Sequence, residues 1–347
     1  MIADVVGRLR GAARRFSHRR EHKALILLYH RIADPLVDPW ALCVTPRHFE
    51  EHLAVIQRYA MPMQLGAVPA ALLAGTLPRR AIIVTFDDGY ADNLYRAKPA
   101  LVRHGLPATV FLTTGAIGGV REFWWDELER LLLRPGIVPA RLQLYFNDSL
   151  FEWNLGEASC YREEAAWQHR YWRAYESAPS ARHALYRSLW ERLHPLTDRE
   201  RQHVLSQLRA WVGVEPSCRE SHRMLSLLEV ADLVDGGLID VGAHTVTHPA
   251  LSALPRVAQQ EEIGRSKAQV EAMVGGPITS FSYPFGRRCD YTAETVAIVR
   301  EAAFSCACSN FVGIVTALTD PFQMPRVQVR DWDGVEFARR LSRWFTA

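Results

Sequence analysis

Two short stretches hold the residues best suited to chemistry: Thr85-Phe86-Asp87-Asp88-Gly89-Tyr90 and His244-Thr245-Val246-Thr247-His248-Pro249. Each follows an apolar run of β type, Ile82-Ile83-Val84 in the first case and Val241-Gly242-Ala243 in the second. Adjacent carboxylates at one strand end and two histidines at another can build a metal site at the C-terminal rim of an α/β fold. One aspartate with two histidines makes a facial triad that leaves positions open for water and substrate. The other aspartate is then free to act as a base. The chemistry indicated is metal-dependent hydrolysis.

Such a rim needs parallel strands alternating with helices. Ala24–Tyr29 is a continuous apolar run, as a strand buried on both faces requires, and it ends in His30. Residues 46–59 read as a helix with Thr45 as N-cap, 81–85 as the next strand, 94–104 as a helix closed by Gly105, and 108–113 as a third strand. The rhythm then breaks. From about residue 121 to 222 the chain is rich in Arg, Trp, Glu and His at helical spacing, interrupted by a strand-like piece at 141–146 and a turn at Asp148. It resumes with helices at 227–235, 255–274 and 292–302 and strands at 239–242, 278–283 and 304–308. This predicts four segments: a basic N-terminal stretch (1–23), the first part of an α/β barrel (24–120), a mainly helical insertion (121–222) and the second part of the barrel (223–347).

Composition narrows the function classes. With 347 residues and 48% hydrophobic content the chain can bury one large domain, or a domain with a subdomain. A net charge of +3 is too small to argue for nucleic acid, and none is expected as a partner. The six cysteines show no disulfide framework, and Cys306-x-Cys308 is too tight for the usual zinc spacing, so reduced thiols are expected. No apolar run is long enough to span a membrane, and no secretory leader is recognisable, which predicts a cytoplasmic location. The basic residues near the start (Arg8, Arg10, Arg14, Arg15, Arg19, Arg20, Lys23) fit either a docked terminal helix with a solvated face or a peripheral contact with the cytoplasmic face of a membrane.

The two stretches closely resemble the signatures of the polysaccharide deacetylase family, carbohydrate esterase family 4, whose catalytic unit is the NodB homology domain. A third signature, an aromatic-Pro-aromatic-Gly turn after a strand, is matched by Ser282-Tyr283-Pro284-Phe285-Gly286, and Tyr29-His30-Arg31-Ile32 resembles members acting on poly-N-acetylglucosamine-type polymers. The resemblance covers about residues 24–120 and 223–347 and leaves out the insertion. It implies a distorted (β/α) barrel with Asp88, His244 and His248 as metal ligands and Asp87 as general base. It also implies a backbone N–H in the Tyr283-Pro284-Phe285 turn for the oxyanion. That donor set suits Zn²⁺ best and also accepts Co²⁺, Ni²⁺ or Mn²⁺. No organic cofactor is implied.

The chain departs from the family in two places. Many members carry the general acid as a histidine on a late strand, yet no histidine follows His248 here. His30 takes that role in our reading, because first and last strands are neighbours in a closed barrel. Many members also place an arginine where this chain has Ser282, and Arg326 could supply that charge to Asp87 from another strand. The expected activity is removal of the N-acetyl group from a sugar in a polysaccharide, glycolipid or glycan precursor. Alternatives are an O-deacetylase, an amidase on a non-sugar ring, or a catalytically weak carbohydrate-binding homologue. Tryptophans of the insertion either overhang the rim as a lid or build a core of their own.

Overall fold

The computed structural model describes residues 23–146 and 149–346. The basic stretch at 1–22 and the turn at Asp148 lie outside them. Seven parallel strands build the barrel: β1 (Ala24–Tyr29), β2 (Ala81–Phe86), β3 (Ala108–Leu112), β4 (Ile239–Ala243), β5 (Ser280–Ser282), β6 (Cys306–Cys308) and β7 (Val327–Gln328). Their order across the sheet is β6-β5-β4-β3-β2-β1-β7, and Met61–Pro62 adds a short parallel partner to the start of β2. Met324 bridges Cys308, and β7 pairs with β1, so residues 324–328 close the curl between last and first strands. This is the distorted barrel expected from the sequence.

The strands at the centre explain the rest. β1, β2 and β3 are buried along their whole length, because helices cover the outside and side chains fill the inside. Helix α1 (Pro46–Tyr59) buries Phe49, Leu53 and Ile56 and starts at Thr45, whose hydroxyl accepts the His48 N–H. Asp331 accepts from the Thr45 N–H and Oγ1 and pairs with His48 Nδ1, all at 2.8–2.9 Å. Asp333 caps the C-terminal helix Gly334–Thr346 by accepting the Glu336 N–H at 2.8 Å. The helix expected at 94–104 is a π-type turn over Asn93–Ala97 running into Lys98–His104. Pro99 lies at this junction and has no N–H to give to a regular ladder.

In the insertion, helices α2 (Trp124–Leu132), α3 (Ala181–Leu193) and α4 (Asp198–Val212) pack around a core that includes Leu128, Leu132, Leu142, Leu144, Tyr186, Leu189, Leu205 and Leu208. It is less purely helical than its composition implies. Arg141–Phe146 is one arm of an antiparallel hairpin whose other arm is Ser149–Asn154. The second arm is largely exposed and lacks the apolar alternation that marks its partner. All six cysteines are unpaired. No helix among the described residues is long and apolar enough to cross a membrane.

Candidate active site

Backbone bends at strand ends aim the two motifs at one point. Asp87 follows β2 directly, its N–H donating to the Tyr29 carbonyl at 3.0 Å, and Asp88 turns into the left-handed region with φ 79°. Gly89 continues that bend at φ 86°, where an added Cβ would meet Leu112 Cδ2 at 2.9 Å. Beyond β4, Thr245 and His248 have φ 65° and 54°. Glu262 secures this loop by accepting from Val246 N–H, Thr247 N–H and Thr247 Oγ1 at 2.7–2.9 Å. Positive φ at non-glycine residues is costly and persists where the surroundings impose it, commonly at functional sites.

Asp87 is held by an arginine just before β7, two strands along the sheet. Arg326 is fully buried, and its Nη1 and Nη2 donate to the two Asp87 carboxylate oxygens at 2.7 and 2.6 Å. The same guanidinium donates to Ser282 Oγ at 2.9 Å and to the Ser309 carbonyl at 2.9 Å. Ser282 Oγ in turn donates to Asp87 at 3.2 Å. Burial pushes Asp87 upward, but the charge and hydrogen bonds of Arg326 outweigh it and hold the carboxyl at about 2. A carboxylate locked in its ionised form, in one orientation, is the result.

Asp88, His244 and His248 converge beside it, with one donor atom of each lying within 4.8 Å of the others. His244 Nδ1–H donates to the Ser282 carbonyl at 2.7 Å, which leaves Nε2 without a proton, 3.6 Å from Asp88 Oδ1. His248 Nε2 lies 3.5 Å from the same oxygen. Burial lowers both histidines and keeps them neutral, as ligands must be. Asp88 is raised by burial and then by the nearby Asp87 and Asp126. Asp88 Oδ1 and His248 Nδ1 are buried and have no hydrogen-bond partner among the described residues. A buried carboxylate crowded by like charges, with an unpaired oxygen facing two neutral imidazoles, fits a divalent cation.

Comparison with known proteins agrees. A family model described as polysaccharide deacetylase matches residues 74–137 and 221–307, the segments that carry both motifs. The chain belongs to the polysaccharide deacetylase family. The interval between the matched segments falls within the insertion. Bacillus subtilis YxkH, named as a polysaccharide deacetylase, is 30% identical over 111 residues, which amount to 31% of this chain and 38% of that protein. The structure resembles the Streptococcus pyogenes deacetylase PplD in complex with acetate (17% identity, TM-score 0.57, covering 92% of this chain and 98% of that one). It also resembles IcaB from Ammonifex degensii (18%, TM-score 0.57, covering 94% and 98%). At these identities the likeness establishes the barrel and no more.

In this deacetylase-family barrel the motifs open into a cavity of about 260 Å³ that is also lined by His30, Trp40, Trp125, Tyr175, Trp190, Phe285, Arg287, Gln328 and Arg330. His30 thus shares the cavity with both aspartates, and burial lowers it to about 4. The third motif divides. Phe285 lines the cavity, its ring 4.6 Å from that of His248. Tyr283 does not: it is buried, stacks on Tyr291 at 4.1 Å, and donates its hydroxyl to the Phe322 carbonyl at 2.9 Å. The Tyr283 N–H is also spent, on the Cys308 carbonyl at 3.1 Å, and Pro284 has none. Tyr283 and Pro284 are therefore corrected to framework residues. A tight turn from the Gly286 N–H to the Pro284 carbonyl, with Phe285 at φ 59°, leaves the Phe285 N–H as the donor without a partner among the described residues.

Sequence reasoning missed three contributors. Trp40 lies in a loop after β1 and packs on Trp190 at 4.3 Å. Arg201 on α4 is fully buried and donates to the carbonyls of Leu193, His194 and His248 at 2.8–3.1 Å, tying the insertion to a motif residue. Arg330 reaches the cavity from beyond β7. None has a local signature, since each acts through contacts made only in the folded chain. Trp125 and Trp190 line the cavity, and Trp125 also packs with Trp124 and Trp172 in the core of this region.

Proposed function

We propose that this protein is a divalent-metal-dependent deacetylase that hydrolyses the N-acetyl group of an amino sugar within a glycan, glycolipid or glycan precursor. The observation that carries this reading is the pairing of two unlike carboxylates on one strand end: Asp87 neutralised by Arg326, and Asp88 unpaired between two histidines. Asp88, His244 and His248 would hold the ion, with Zn²⁺ the first choice for this donor set. When bound, a divalent ion polarises the acetyl carbonyl and makes water a stronger acid.

The chain's own groups supply the rest. Asp87 is ionised throughout the neutral range and takes a proton from the attacking water. The Phe285 N–H is the available donor for the carbonyl oxygen as it gains charge. Cleavage breaks the carbonyl carbon–nitrogen bond and forms a carbon–oxygen bond, and the leaving amine requires a proton. On this reading His30, which lines the same cavity, gives it. Because His30 is lowered to about 4, it enters the reaction unprotonated at neutral pH and must collect a proton before passing it to the amine. Trp40, Trp125, Tyr175 and Trp190 offer ring faces suited to a sugar.

The test is acetate release by the metal-loaded protein from three classes of compound: N-acetylhexosamine oligomers, O-acetylated sugars and a cyclic amide. Release from the N-acetyl sugars at the highest kcat/KM is the expected result. Faster release from the esters assigns an O-deacetylase, and turnover of the cyclic amide alone assigns a non-sugar amidase.

A further inference from the structure

The charged groups of the cavity are not all paired. Among the described residues Asp87 and Asp88 are its lining carboxylates, and Arg287 and Arg330 also line it. Arg287 is committed, with Nε and Nη2 donating to Asp290 at 2.9 and 3.2 Å. Arg330 is not. Its Nη1 donates to the carbonyls of Trp40 and Ala41 at 2.6 and 2.9 Å, while Nε and Nη2 have no partner among the described residues. The carboxylate whose charge reaches it, Asp38, is already occupied by the N–H groups of Leu42 and Cys43 at 2.9 and 3.1 Å. Arg173 adds a second positive charge nearby, and burial pulls Arg330 below the ordinary arginine value.

The placement of Arg330 matters as much as its freedom. Leu28 of β1 pairs with Gln328 of β7, and the Val329 N–H donates to the Leu28 carbonyl at 2.9 Å. Continued by two residues on each strand, that register carries His30 and Arg330 to the same part of the rim. Trp40, whose carbonyl Arg330 holds, packs on Trp190 across the mouth. A planar guanidinium with one edge open binds two oxygens of a phosphate or carboxylate at once, and a partly buried site strengthens that contact.

We propose that Arg330 is the anion-recognition residue of this cavity, binding a phosphate or carboxylate carried by the acetylated sugar or by the unit joined to it. The choice of a sugar rests on the deacetylase reading above, whereas the anion site rests on Arg330 alone. An acidic or phosphorylated amino-sugar glycan, rather than a neutral homopolymer, is then the substrate class.

The experiment compares affinities of the metal-loaded full chain for N-acetylglucosamine, N-acetylglucosamine 1-phosphate and N-acetylglucosamine joined to glucuronic acid, followed by tryptophan fluorescence. Acetate release is measured in parallel. The wild type should bind one of the charged sugars at least about tenfold more tightly than the neutral one, and R330Q should lose most of that ratio. Whichever charged sugar shows the preference identifies phosphate or carboxylate. Any contact of phosphate with the metal is common to both proteins, so the change in ratio isolates Arg330. If R330Q fails to fold, R330K, which keeps the charge but loses the fork, should reduce the ratio at least about threefold. A wild type without charge preference, or a variant that keeps the full ratio, overturns the proposal. Absence of acetate release with the charge preference intact removes the deacetylase reading and leaves the anion site standing.

Discussion

The barrel rim and the insertion reach the same cavity by different physical means. At the rim, Asp87, Asp88, His244 and His248 hang from the ends of strands, and bent backbone at Asp88, Thr245 and His248 fixes their directions. The insertion packs around a second core, which it shares with Tyr90 and Met224, and lines the cavity with Trp125, Tyr175 and Trp190. It is tied to the rim by the buried guanidinium of Arg201 on the carbonyl of His248, and by Asp126 and Trp125 on the hydroxyl of Tyr90. Strand ends give the placement that proton transfer and metal binding demand. A cover packed over the rim gives shape and aromatic surface, which tolerate looser placement. On the proposed reading, the rim decides which bond breaks, and the aromatic rings of the insertion together with Arg330 at the rim decide which molecule is presented.

That division predicts unequal effects of substitution. The largest belongs to His30→Ala, which should lower kcat about a hundredfold or more while metal content, measured by elemental analysis, stays at the wild-type level. Unchanged turnover would remove His30 from the mechanism. Arg326→Met comes next, because it strands Asp87 as a buried, unpaired carboxylate. A loss of about 3–5 kcal/mol in denaturant unfolding is expected. The acidic limb of the pH–rate profile should also move upward, since burial raises Asp87 once the guanidinium is gone. In the wild type the sign is the usual one for a depressed carboxylate. The contribution of the pair is complete above the unfolded aspartate value of about 4 and is lost as pH falls towards about 2. An acidic limb that stays in place argues against pairing in solution.

Smaller effects should follow at the joint and in the cover. Arg201→Met leaves three carbonyls without their donor, so a lower melting temperature and roughly tenfold weaker metal binding are expected from calorimetry. Trp190→Ala should raise KM about three- to tenfold with kcat nearly retained. If Trp190→Ala damages kcat as severely as His30→Ala, rim and insertion form one catalytic unit and the division fails.

The two regions also differed in how much their sequence disclosed. Strand-end chemistry is legible because Asp87-Asp88-Gly89 and His244 to His248 are contiguous and follow apolar runs that mark buried strands. The neighbouring positions of β1 and β7, on which the assignment of His30 depends, follow from barrel closure. Partnerships between distant segments are hidden from spacing. Arg326 and Asp87 are 239 positions apart; the arginine missing at Ser282 points to their pairing, but its two-pronged geometry and the bridging part of Ser282 come only from the fold. In the turn after β5, the pattern identifies three residues alike, yet packing commits Tyr283 to the core and leaves Phe285 at the cavity. The exposed second arm of the hairpin and the contacts of Arg201 gave no periodic signal at all.

The central claim is that Asp88, His244 and His248 hold a divalent ion on which hydrolysis depends, with Asp87 beside it as base. The direct test is acetate release from an N-acetylated amino-sugar oligomer before chelation, after chelation and after titration with Zn²⁺. The account predicts that release stops on chelation and returns as about one ion per chain is restored, and that Asp88→Asn shows neither ion binding nor recovery. Release that persists in the stripped protein, or that Asp88→Asn supports at the wild-type rate, would contradict it.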